Sequence, residues 1–84
     1  MEEILQLVIE KSGISKEEMM IKRGNLNVCE ARRIFLYLAN KNYSKKQISE
    51  FIGMSRQNVG AQLNTFNNEL KIYKTLREKL KKYE

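Results

Sequence analysis

The chain has 84 residues, with 16 Lys and Arg against 10 Asp and Glu, a net charge of +6, one Cys and no His. That length allows one domain with one modest core and no separate catalytic lobe. A lone cysteine excludes a disulfide framework and a cysteine zinc site, and without His a nucleophilic or metal role for it has no partner.

The opening MEEILQLVIEKSG has an acidic start and an apolar run broken by Gln6, a pattern unlike a signal peptide and far too short to span a bilayer. A cytoplasmic, nucleoid-associated protein with no membrane contact is expected. A first helix is predicted from about Glu2 to Lys11, with Ile4, Leu5, Val8 and Ile9 on one face and Gly13 as its stop. A short second helix follows Ser15 and carries Met19, Met20 and Ile21. The basic stretch from Lys22 to Asn27 reads as a loop.

The third helix, from about Val28 to Asn40, is the most apolar, with Ala31, Ile34, Phe35, Leu38 and Ala39 at three- and four-residue spacing. It is expected to be central. Cys29, between Val28 and Glu30, reads as a small core or boundary residue in a reducing compartment. After a connection over Asn40 to Tyr43, a fourth helix from Lys45 to about Phe51 turns Ile48, Phe51 and Ile52 inward. Three helix starts carry a capping residue with Glu or Gln three positions on: Ser15 with Glu18, Asn27 with Glu30, and Ser44 with Gln47. With no proline and no alternating β-branched run, the chain is expected to be all-α: one domain over 1–84, a compact bundle of five to six helices.

Ser49, Gly53, Met54, Ser55, Val59 and Leu63 follow the spacing of a helix-turn-helix, placed at about 45–66. A small residue at 49 allows close helix approach, Gly53 permits positive φ in the turn, and Met54, Val59 and Leu63 fix the angle between the helices. Arg56, Gln57 and Asn58 then point away from the core on the first turn of the second helix. Arg suits guanine O6 and N7, and Gln or Asn suits adenine N6 and N7. Base contacts are therefore assigned to Arg56, Gln57 and Asn58, with Ala61 and Asn64 one and two turns on, and Ser55 as the cap beside the DNA backbone. Gly60, in mid-helix, costs about 1 kcal/mol relative to Ala; it either permits close approach to DNA or has no role.

Charge supports the same region. Residues 22–63 carry eight basic side chains against two acidic ones, whereas residues 1–21 carry two against five. A polyanion is attracted to the middle of the chain. Lys45 and Lys46, on the helix that crosses the DNA backbone in such motifs, are assigned to phosphate.

The run VCEARRIFLYLANKNYSKKQISEFIG resembles the C-terminal DNA-binding domain of the bacterial replication initiator DnaA, of the Trp-repressor-like superfamily. Val28, Ala31, Arg32, Ile34, Tyr37, Leu38, Ile48 and Gly53 stand where that domain has its Val, its Ala-Arg-Gln-Ile-x-x-Tyr-Leu, its Ile and its Gly. The resemblance covers most of residues 1–66. It implies that Arg32 and Arg33 touch phosphate and that Lys22 and Arg23 lie near the minor groove. Two departures limit it. Ser55, Arg56, Gln57 and Asn58 replace the family's Asp-His-Thr-Thr after the turn, so the initiator's box is not the expected target. The ATPase domain is missing from these residues, which favours a small stand-alone regulator.

After Phe66 the chain reads NNELKIYKTLREKLKKYE. Asn67-Asn68 either interrupt or bend the helix, and a basic C-terminal helix is expected over about 69–83. Its stripe of Leu70, Tyr73, Leu76, Leu80 and Tyr83 either packs back on the domain or forms a homodimer seam near heptad spacing. The expected partner is double-stranded DNA, with no cofactor, metal or small-molecule ligand and no enzymatic activity. The competing reading is a protein-interaction domain docking through the last helix. An exposed apolar patch there, with Arg56 and Gln57 held in internal contacts, would support it. An RNA-binding role is a third reading, weakened by how few aromatics beyond Tyr43 and Tyr73 look free to stack on bases.

Overall fold

The computed structural model describes residues 1–20 and 26–83. Lys22 and Arg23, together with Ile21, lie outside the described residues. Six helices follow one another: α1 (Glu2–Ser12), α2 (Lys16–Met20), α3 (Leu26–Ala39), α4 (Lys45–Ile52), α5 (Arg56–Ile72) and α6 (Lys74–Lys81), with no strand among the described residues. The all-α expectation holds.

α1 buries Leu5 and Val8 and stops at Gly13, whose left-handed conformation (φ 74°) lets its N–H donate to the Ile9 carbonyl. Ser15 and Glu18 start α2 as expected: the Glu18 N–H donates to Ser15 Oγ and the Ser15 N–H to Glu18 Oε1. α3 buries Val28, Ala31, Ile34, Phe35, Leu36, Leu38 and Ala39, a helix apolar on nearly every side, and it packs against α1, α2 and α5. Such a helix is stable only at the centre of a fold. Cys29 lies half-buried on it. Asn27 does not cap α3: the helix already includes Leu26, and Glu30 instead pairs with Lys79 of α6 at 3.3 Å.

The last third departs from expectation. α5 runs unbroken through Asn67 and Asn68 to Ile72, because both amides are exposed and leave the backbone ladder intact. The break falls at Tyr73, whose extended backbone (φ −104°, ψ 109°) turns the chain so that α6 lays Leu76 and Leu80 into the core. Arg77 stabilises that corner by donating from Nη1 to the Leu70 and Lys71 carbonyls at 2.6 and 3.3 Å. These carbonyls belong to the last turn of α5 and have no partner within the helix. Most of the apolar stripe of the C-terminal helix packs back on the domain, since Leu76 and Leu80 are buried and Leu70 and Tyr83 are partly so, while Tyr73 stays 53 % exposed. None of the helices is long and apolar enough to cross a membrane, among the described residues.

Candidate nucleic-acid interface

α4 begins with a reciprocal capping box. Ser44 accepts from the Gln47 N–H at 3.2 Å, and Gln47 Oε1 accepts from the Ser44 N–H at 2.9 Å. With one end fixed, Ile48 and Ile52 fall on the buried face, and Phe51 packs its ring 6.1 Å from that of Phe35. The helix ends where Gly53 adopts φ 77° and ψ 25°. The Ser49 carbonyl then accepts from both the Gly53 and Met54 N–H groups, at 2.9 and 3.2 Å. A side chain at 53 is strained in this left-handed region, which is why the turn takes Gly.

Ser55 caps α5 by accepting from the Asn58 N–H at 3.1 Å. Its hydroxyl hydrogen stays available to donate outward. Val59, Leu63 and Phe66 are buried, so the helix angle is fixed along about two turns. The opposite face carries Arg56, Gln57, Asn58, Ala61 and Asn64, all exposed. Among the described residues, the Arg56 and Gln57 side chains have no hydrogen-bond or ion-pair partner. Their conformational freedom is retained for whatever they meet.

Gln62 is not among the residues the motif singles out, yet its Nε2 donates to Asn58 Oδ1 at 3.2 Å. The readable signal was the four-residue spacing of two amides on one helix face. Lys45 and Lys46 are exposed on the flanking helix. The Lys45 stem lies across Gly60: a methyl group built there would meet Lys45 Cδ and Nζ at 3.9 Å. Lys16, from α2, adds a further cation with its Nζ 5.6 Å from the Phe51 ring centroid. Tyr43 is half-buried and its hydroxyl accepts from the Met1 amine at 3.1 Å, so it is not free to stack on a base.

The two arginines of α3 both have partners within the chain. Arg32 is only 5 % exposed, and its Nε donates to the Met19 carbonyl at 2.6 Å. It ties the end of α2 to α3, because a buried guanidinium must find acceptors inside the protein. Its side chain still borders an open cleft of about 370 Å³ shared with Met20, Gly53, Met54, Ser55, Asn58 and Gln62. Arg33 is engaged elsewhere, with Nη1 2.9 Å from Glu69 Oε1. Glu69 stands roughly 18 Å beyond Gln57 along α5, at 1.5 Å per residue. Arg33 thus faces the far half of the helix and does not join the residues around the turn.

The structure therefore places Ser55, Arg56, Gln57 and Asn58 at the start of α5, with Ala61 and Asn64 one and two turns on, Lys45 beside Gly60, Lys46 exposed on α4 and Arg32 at the cleft next to Ser55 and Asn58, while Arg33 pairs with Glu69 farther along α5. Comparison with known protein families, with characterised proteins and with solved structures finds no match to this chain.

Proposed function

We propose that this protein binds duplex DNA without catalysing a reaction, by setting the N-terminal end of α5 into the major groove. The observation that carries the reading is the contrast along one helix. Val59, Leu63 and Phe66 are buried, while Arg56 and Gln57, on the first turn after a glycine-closed corner, are exposed and unengaged. Arg56, Gln57, Asn58, Ala61 and Asn64 are the base-facing set, and Lys45, Lys46 and the Ser55 hydroxyl hold the backbone. The reading agrees with the likeness to the DnaA C-terminal domain, and it makes the protein a small nucleoid-associated regulator with a target other than the initiator's box. Internal contacts of Arg56 and Gln57 would have supported the protein-interaction reading, and both side chains are exposed and unengaged.

Equilibrium binding to a labelled mixed-sequence duplex at several salt concentrations tests the proposal. The expected result is micromolar affinity that falls steeply as salt rises, because each neutralised phosphate releases counterions. No binding even at low salt rejects it.

A further inference from the structure

From Gln57 to Asn68 the chain carries no charged residue, although 31 % of its residues are charged. Gln57, Ala61, Asn64, Thr65 and Asn68 recur there at helical spacing, all exposed, on the side of α5 opposite the buried Val59, Leu63 and Phe66. The exposed face of α6 is the reverse, with Lys74, Arg77, Glu78, Lys79 and Lys81. Packing does not decide exposed positions, so a helix selected for stability alone takes Ala, Lys or Glu there. Asn64, Thr65 and Asn68 are weaker helix formers than any of these. The Thr65 hydroxyl donates to the Ala61 carbonyl at 3.0 Å, which leaves its lone pairs and its methyl group for a ligand.

We propose that α5 lies lengthwise in the major groove of DNA and that Thr65 and Asn68 read base pairs beyond those reached by its first turn. This deepens the DNA-binding reading and rests on it. The chemistry of the stripe selects the occupant. Each amide presents a donor and an acceptor without charge, which matches base edges and gives a phosphate no ionic attraction. Ala61 is the one apolar member of the stripe, so a protein partner finds no apolar centre to bury. The deep, narrow major groove of duplex RNA does not admit side chains, whereas that of B-DNA, about 12 Å wide, admits a helix. Glu69, the first acid after the stripe, is paired with Arg33 at 2.9 Å, so its charge is offset rather than turned on the phosphates.

Length sets the reach. Gln57 and Asn68 stand roughly 16 Å apart along the helix axis, the length of about five base-pair steps of ~3.4 Å. Asn68 suits adenine through N6 and N7, and Thr65 suits thymine, whose methyl group meets its own. The first turn of α5 and the turn that holds Asn68 therefore read opposite ends of one site.

Site selection from a random duplex pool, run on the full chain and on its Thr65→Ala and Asn68→Ala variants, is the test. The wild-type preference should extend over about five consecutive base pairs. Asn68→Ala should lose preference at the end of the site farthest from the pairs that Gln57→Ala relaxes, and weaken binding to the selected duplex roughly tenfold. Thr65→Ala should relax a pair next to that end, and affinity for non-specific duplex should hold in both variants. Ala is the better helix former, so neither variant should lower the melting temperature, and a loss of preference is then not unfolding. A wild type without base preference, or variants that keep the wild-type preference at every position or lose affinity for all sequences alike, overturn the inference and leave DNA binding standing. A wild type that binds no duplex rejects both.

Discussion

At the level of single residues, exposure and engagement separate roles that composition cannot. Gln57 and Lys46 are both exposed polar side chains, but one lies on the proposed reading face and the other on the flanking helix. Gln57→Ala should relax base preference in a site selection from random DNA, with little change in affinity for non-specific duplex. Lys46→Ala should weaken binding to every sequence alike and reduce the salt slope by about one. Equal losses on all sequences for both variants would reject the assigned roles. Gly60 is decided by space rather than by chemistry. It is helical and its nearest neighbour would be 3.9 Å from an added methyl group. Gly60→Ala should therefore stabilise the fold by about 1 kcal/mol in denaturant titrations. Tyr83 gives a pH signature. Burial first, and the Glu30 carboxylate second, raise its phenol above its ordinary value of 10.0. A raised folded-state pKa means that its contribution is intact below the unfolded value and is lost as pH climbs through the folded one. Stability should thus fall above pH 10.0 in the wild type and less in Tyr83→Phe, as read by thermal melts across alkaline buffers.

At the level of elements, helix ends carry much of the specification. Ser44 and Ser55 each satisfy a backbone N–H at the start of a helix of the pair. Replacing either by Ala should cost about 1 kcal/mol. The Ser55 change should also loosen the first turn of α5 and so reduce DNA affinity more than Ser44→Ala does. Equal effects on DNA affinity would mean that the cap stabilises the fold without positioning the reading end. Both ends were legible from local signals: Ser44 with Gln47, and Gly53 before Ser55. The same logic missed at Asn27, where Glu30 sits at capping-box spacing but is drawn to Lys79, a partner 49 positions away that no local window contains. It missed again at Asn67-Asn68. Two amides lower helix propensity by only fractions of a kcal/mol each, too little to break a helix anchored by Phe66 and the core. The actual break at Tyr73 follows from α6 docking onto the core and from Arg77 reaching back to the Leu70 carbonyl, a tertiary event without a sequence signature. The motif residues were legible because they are local. The burial of Arg32 and the ion pair of Arg33 were not legible, because both depend on what folds over them.

At the level of the whole molecule, the excess of positive charge and the proposed ligand make opposite demands on salt, and that opposition provides a test that needs no knowledge of the target sequence. Without DNA, the +6 charge destabilises the folded chain by self-repulsion, so added salt should raise the melting temperature slightly. With duplex present at about one hundred times its Kd, binding to the folded state alone adds about 2.7 kcal/mol. For a domain of this size that is a rise of roughly 10–20 °C. If Lys45, Lys46, Arg56 and Lys16 each meet a phosphate, about four contacts imply a loss of roughly a hundredfold in affinity from 50 to 200 mM salt. That loss removes nearly all of the added stability. The melting temperature should therefore rise with salt for the free protein and fall with salt for the protein in duplex, the two curves converging at high salt. A DNA-induced shift that does not change with salt would place the binding energy outside these four cations. No shift at low salt would mean that the folded chain does not bind the duplex, and the exposed Arg56 and Gln57 would then be solvated surface.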